Sequence, residues 1–159
     1  MFLEKTAHFA VCFWVNAVFN VVMGQASRPK RAGGTKKALV YVVDDEPLLL
    51  DLAEASLAPA GYTIRKFVDP AEALRSFARA RPKPDVLVTD YAMGKMNGIE
   101  LLEKCRQQHP NLKCILLSGT VGAEVVLNSP AKVDRFIGKP YQPENLSELV
   151  RRVLADNQA

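Results

Sequence analysis

Cysteine and histidine are scarce in this chain, and their scarcity removes several kinds of chemistry at once. Cys12, Cys105 and Cys114 stand far apart in apolar or helical surroundings, with no Cys-x-x-Cys pair and only His8 and His109 as companions. An odd, dispersed set argues against a disulfide framework or a zinc cage and fits a reducing compartment. Excess charge is also lacking once it is located. The net +4 sits in residues 1–37, where Lys5, Arg28, Lys30, Arg31, Lys36 and Lys37 face Glu4 alone, so residues 38–159 are left at −1. No basic stripe with interleaved aromatics marks direct nucleic-acid binding. A length of 159 residues gives room for one core and not for a core plus a separate output module.

A long apolar run is nearly absent as well. Residues 7–23 come closest, and three readings of them stay open. As a signal peptide they have small residues at Gly24-Gln25-Ala26, but Glu4 cancels Lys5 and a basic cluster follows the cut. As a membrane anchor they fall short of the ~20 residues a span needs and contain His8, Asn16 and Asn20. If they did insert, Arg28 to Lys37 would hold the body on the cytoplasmic face of the inner membrane. Under the third reading translation starts at Met23. The resulting division is an apolar leader over 1–26, a basic flexible linker over 27–37 and a folded domain over 38–157.

That domain alternates short apolar runs with amphipathic stretches. Ala38–Val43, Tyr62–Val68, Val86–Asp90, Lys113–Ser118 and Val133–Ile137 read as strands, rich in β-branched residues and bounded by Pro, Gly and Asp. Between them the spacing predicts a helix from Pro47 to about Leu57, halted near Pro59-Ala60-Gly61. A second begins at Asp69-Pro70-Ala71-Glu72 with a capping-box-like pattern. A third carries Ile99, Leu101, Leu102 and Cys105, and a short fourth runs from Gly122 to about Leu127 before Pro130. In the last, Leu146, Leu149, Val150, Val153 and Leu154 form an apolar stripe. Five strand–helix repeats define an α/β fold: a five-stranded parallel sheet flanked by helices on both faces, flavodoxin-like (βα)5, with an extra N-terminal apolar segment.

In such sheets ligands and chemistry collect at the carboxyl ends of the strands. Asp44 and Asp45 follow strand one, Asp90 ends strand three, Ser118 ends strand four and Lys139 follows strand five. Singly, each has an ordinary explanation as a cap, a turn residue or a surface cation. Jointly they suggest carboxylates that repel unless they share a hard divalent ion. Oxygen-only ligation suits Mg²⁺. With Lys139 and Ser118 beside it, one carboxylate is then set to attack a phosphoryl group in line.

Val42-Val43-Asp44-Asp45-Glu46-Pro47, Val88-Thr89-Asp90-Tyr91-Ala92-Met93 with Met96-Asn97-Gly98, Leu116-Leu117-Ser118-Gly119 and Gly138-Lys139-Pro140-Tyr141 together resemble the signature blocks of the two-component response-regulator receiver domain. The resemblance covers about residues 38–157. It implies that Asp90 is the phosphoacceptor, and that Asp44, Asp45, Asp90 and the backbone carbonyl of Ala92 hold Mg²⁺. It likewise implies that Ser118 is the switch hydroxyl, that Lys139 binds the phosphate before a cis-Pro140, and that Phe136 is the aromatic rotamer switch. Gly94 stands where the family usually has proline, and the short fourth helix departs from the family's output face. The expectation is a stand-alone, chemotaxis-receiver-like, cytoplasmic phosphorelay module. It would take phosphate from a histidine kinase or phosphotransfer protein and signal to a downstream protein partner, meeting a membrane only if residues 7–23 anchor it. Two alternatives stand beside this: an aspartyl-phosphate phosphohydrolase, disfavoured because position 92 is alanine where that chemistry wants a general acid, and a pseudo-receiver that only binds partners. Apart from self-catalysed phosphotransfer and autodephosphorylation, the expected domain is not an enzyme.

Overall fold

The structure is a computed structural model that describes residues 37–127 and 129–156. The leader over 1–26, the linker before Lys37, Asn128 and the domain's end at 157 lie outside the described residues, and with them the signal-peptide, anchor and Met23 readings. Among the described residues no helix is long and apolar enough to cross a membrane.

The strands are β1 (Leu39–Val43), β2 (Thr63–Phe67), β3 (Val86–Asp90), β4 (Lys113–Ser118) and β5 (Arg135–Gly138). They form one parallel sheet in the order β2-β1-β3-β4-β5. The helices are α1 (Pro47–Leu57), α2 (Pro70–Arg79), α3 (Gly98–Gln108), α4 (Ala123–Leu127) and α5 (Pro143–Ala155).

The apolar strand runs divide by parity between two cores. Val40, Val42, Val86, Val88, Ile115 and Leu117 face Leu50, Ala53 and Leu57 of α1 and Leu146, Val150 and Val153 of α5. Tyr41, Val43, Leu87 and Cys114 face Ala73 and Phe77 of α2 and Leu101, Leu102 and Cys105 of α3. This two-sided burial is why β1, β3 and β4 read as nearly continuous apolar runs, whereas the edge strands β2 and β5 carry exposed polar residues. Each fully buried Leu, Val or Phe contributes ~1.5–3 kcal/mol of transfer free energy, so both helical layers are held firmly against the sheet.

Several element ends differ from expectation, each for a local reason. The first helix does stop at Leu57 as its spacing predicts, after which the chain continues through a 3-10 turn (Ala58–Ala60) to Gly61, whose φ of 81° suits glycine. Asp69 caps α2 through Ala71 N at 2.9 Å, whereas the reciprocal box forms at α3. There Asn97 Oδ1 accepts from Glu100 N at 2.9 Å, and Glu100 Oε2 accepts from Asn97 N at 3.3 Å. Asp69 and Glu72 are both acids and repel. Neutral Asn97 lets Glu100 fold back.

β5 begins at Arg135, two residues later than the apolar pattern indicates, because Asp134 is otherwise engaged. Its Oδ2 accepts from Cys114 N at 2.9 Å and from Arg106 Nη2 at 2.7 Å. Arg106 also donates to the carbonyls of Leu112, Ala131 and Lys132. The loop between α4 and β5 is thereby pinned to α3.

Candidate functional site

The register sets the ends of four strands in one row. Val43 pairs with Thr89, Asp90 with Leu117, and Ser118 with Gly138. The backbone continues these rungs just past the strands, with Tyr91 N donating to Leu117 O at 2.8 Å and Lys139 N to Ser118 O at 2.7 Å. Asp44, Thr89, Asp90 and Ser118 are the buried polar or charged residues among those described, exposed by 2, 0, 6 and 2% respectively. All four lie at this end of the sheet. Buried polar groups concentrated at one place need partners, and those partners define the site.

Lys139 is the central partner. Its Nζ lies 2.6 Å from Asp44 Oδ2 and 2.6 Å from Asp90 Oδ1, although Asp44 and Lys139 are 95 residues apart. The remaining carboxylate oxygens bind backbone: Asp44 Oδ1 accepts from Glu46 N at 3.0 Å, and Asp90 Oδ2 from Ala92 N at 2.6 Å. Burial pushes the Asp44 carboxyl above its ordinary range, a shift that its hydrogen bonds from Lys139 and Glu46 only partly offset. Burial works against the Lys139 ammonium, but hydrogen bonds to Asp44 and Asp90 prevail and hold its pKa above the usual lysine value. The same two carboxylates, added to burial, push the Tyr141 hydroxyl up to about 12.

Of the residues expected in the site, Asp44, Asp90 and Lys139 come together in direct contact. Asp45 is exposed. Among the described residues no three His, Cys, Asp or Glu side chains gather closely enough to form a ready-made metal cage. Two of the three expected carboxylates are joined directly through an ammonium, with Asp45 exposed at the next position in the chain. A cation already supplied by the chain at salt-bridge distance relieves their repulsion. The donor set still fits a hard cation: it is all oxygen, and Mg²⁺ is commonly held by one or two carboxylates plus waters and substrate phosphate.

Ser118 is buried at the end of β4 and turned onto its own loop. Its Oγ accepts from Thr120 N at 3.1 Å and Val121 N at 3.0 Å. Phe136 is half-buried on β5, opposite Leu116. The peptide between Lys139 and Pro140 is cis. Ala92 is exposed and brings no acid to the pocket. Gly94 adopts φ 64°, a left-handed value that proline is unable to take.

One functional position was not evident as such from the residue pattern. Gly98 opens α3 and donates its N–H to Tyr91 O at 3.0 Å. A Cβ there would strike the carbonyl oxygen of Asp90 and lie 2.9 Å from Leu116 Cδ1 and 3.0 Å from Thr89 Cγ2. The Asn-Gly step before the third helix carries that signal, but only the fold shows which backbone approaches it.

A parallel α/β sheet with a buried carboxylate pair and a lysine at its strand ends is a doubly wound domain with a charged crevice where ligands of this fold bind. Comparison with known proteins narrows this class. The family model "Response regulator receiver domain" matches residues 40–151. TcrX of Mycobacterium tuberculosis is 32% identical over 126 residues, 79% of this chain and 53% of that protein. The DNA-binding transcriptional regulator NtrC of Escherichia coli K12 is 33% identical over 125 residues, 77% of this chain and 26% of that protein. The chain therefore spans about half or less of the length of these relatives. A CheY-like receiver domain from Methanospirillum hungatei superposes with a TM-score of 0.71 at 27% identity, covering 77% of this chain and 98% of that one. The chemotaxis protein CheY4 of Vibrio cholerae gives 0.67 at 27%, covering 74% and 99%. The chain belongs to the response regulator receiver family, and phosphorelay signalling is the function that membership carries.

Proposed function

We propose that Asp90 accepts a phosphoryl group from the phosphohistidine of a sensor kinase or phosphotransfer protein, and that the acyl phosphate so formed switches a protein-binding surface. The observation that carries this reading is the bridge from Lys139 to both Asp44 and Asp90 at 2.6 Å. In it a buried nucleophilic carboxylate is held beside a cation that can receive phosphoryl oxygens.

In the transfer, an Asp90 carboxylate oxygen forms a bond to phosphorus as the P–N bond to the donor imidazole breaks, and the imidazole leaves with the electron pair. Lys139 turns from the free carboxylate to a phosphoryl oxygen. Ser118 releases the Thr120 and Val121 N–H groups and donates a hydrogen bond from its hydroxyl to a second oxygen. Phe136, half-buried beside this movement, follows inward and alters the face around β4, α4 and β5. Asp44, Asp45, Asp90 and the carbonyl of Ala92 are the residues that would hold Mg²⁺. When bound, the ion neutralises charge on the transferring group.

Two features favour a switch over a hydrolase. Ala92 supplies no general acid, and Lys139 beside Asp90 is placed to hold the acyl phosphate by its charge. On this reading the domain works in the cytoplasm, in keeping with the free, buried thiols of Cys105 and Cys114, both raised in pKa by burial. Its downstream partner is a protein and not a nucleic acid.

The test is to incubate the chain with acetyl phosphate or phosphoramidate and Mg²⁺ and follow intact mass. One added phosphoryl group, lost in Asp90→Asn and persisting for minutes, is expected. Rapid multiple turnover would indicate the hydrolase, and the absence of any label a pure binding module.

A further inference from the structure

The edge of the sheet opposite β5 carries charge that the Asp90 pocket does not use. Between edge strand β2 and α2 opens a cleft of about 440 Å³ lined by Arg65, Glu72, Arg75, Ser76, Arg79 and Ala80. Its lining holds three guanidiniums and one carboxylate, a positive excess that Asp69, 3.9 Å from Arg75, offsets in part. Among the described residues no carboxylate lies within 4.0 Å of Arg65 or Arg79, and Arg75 has only Asp69, at 3.9 Å. The contrast with the adjacent cation is informative. Lys66, next in β2, is saturated by Asp51 at 2.7 Å and Glu54 at 2.6 Å. The chain neutralises Lys66 closely and leaves Arg65 and Arg79 with no carboxylate within 4.0 Å among the described residues, and Arg75 with Asp69 alone at 3.9 Å.

One wall of this cleft is fixed in advance. The Arg65 guanidinium stacks 5.5 Å from the ring centres of both Tyr41 and Phe67 and donates through Nη1 to Tyr41 Oη at 3.2 Å. That fully buried tyrosine also exchanges a hydrogen bond with Ser76 Oγ at 3.0 Å. Arg65 and Ser76 are thus tied through one buried hydroxyl, which lowers the ordering cost of binding. Arg75 and Arg79 lie one helical turn apart on α2.

We propose that this cleft binds a phosphate monoester carried on a small, hydroxyl-bearing molecule such as a nucleoside monophosphate. The dianion is complementary in sign to this excess of guanidinium charge. The planar guanidinium forks match its oxygens, and the Ser76 hydroxyl can donate to one of them. Glu72 accepts a hydrogen bond from a hydroxyl on the rest of the ligand, a contact that inorganic phosphate has no second group to make.

The test titrates the full chain in EDTA with AMP, adenosine, inorganic phosphate and a phosphoserine peptide, read by calorimetry and by amide NMR shifts. AMP is expected to saturate one site, to bind more tightly than inorganic phosphate and to outbind adenosine. Its shifts should fall on Arg65 and on Arg75 to Ala80 while Ser118 and Lys139 stay in place. Arg75→Gln with Arg79→Gln is expected to weaken binding by about tenfold or more without changing the phosphoryl labelling of Asp90. Any of four results overturns the proposal: no saturable AMP binding at low salt, shifts centred on Ser118 and Lys139, binding of the phosphopeptide alone, or inorganic phosphate binding as tightly as AMP. The NMR map of the unmodified chain decides the matter even if the double variant folds poorly.

Discussion

Replacing Lys139 by alanine is expected to lower the stability of the metal-free chain by ~3–5 kcal/mol, the usual cost of leaving buried charges without their partner. Lys139 bridges Asp44 and Asp90 at 2.6 Å, and its own side chain is only 16% exposed, so solvent screens little of that loss. The deficit has a distinctive pH dependence. Burial already raises the Asp44 pKa, and without the ammonium that carboxyl takes up a proton more readily in the folded state than in the unfolded one. The native state then binds more protons at Asp44, so the variant's stability declines as pH rises through the raised folded value of Asp44 and recovers as pH falls through it toward the ordinary carboxylate range. Adding Mg²⁺ at neutral pH should restore much of the loss, because a divalent cation satisfies the same oxygens. Urea titrations in EDTA and in Mg²⁺ make the measurement. Wild-type stability of Lys139→Ala in EDTA would contradict the bridge. With Mg²⁺ present the variant should still accept a phosphoryl group yet give no output response, since the phosphate's cationic anchor is gone.

The second large effect is expected at Gly98. A methyl group there meets the carbonyl oxygen of Asp90 itself, with Leu116 and Thr89 closing the remaining space. Backbone is unable to step aside as a side chain can, so either α3 backs off or the end of β3 shifts. Overpacking of this kind costs ~1–3 kcal/mol and sometimes more. Gly98→Ala should therefore lower the urea midpoint and slow labelling at Asp90 together, although it touches no charged group. Gly94→Ala offers a contrast: its added Cβ meets nothing within 4 Å, so any cost there comes from the positive φ alone. A Gly98→Ala protein with unchanged midpoint and labelling rate would show that the close approach places no demand on the site.

Most of the architecture was legible in the residues because its three central strands are buried on both faces. A run such as Val86-Leu87-Val88 has few other places to go, and its division by parity between the two cores follows from the pleat. The margins were less legible wherever a side chain competed with the backbone pattern. Asp134 delays β5 by engaging Cys114 N and Arg106, and nothing in the local sequence announces a partner in α3.

The same distinction applies to the site. Asp44, Asp90, Ser118 and Lys139 stood out because polar residues at the ends of apolar strands are conspicuous. Which of them touch was not written locally: the Asp44–Lys139 contact joins residues 95 apart, and Asp45, adjacent in sequence to Asp44, remains exposed. The Arg65–Tyr41–Ser76 chain was hidden for a similar reason. It links two strands and a helix through a tyrosine that reads only as core.

The central claim is that Asp90, and no neighbouring acid, becomes phosphorylated. The direct measurement is to label the chain with acetyl phosphate and Mg²⁺, reduce the acyl phosphate with borohydride, and sequence the modified peptide by mass spectrometry. The account predicts one modified residue, at position 90. Modification at Asp44 or Asp45 with Asp90 intact would contradict it.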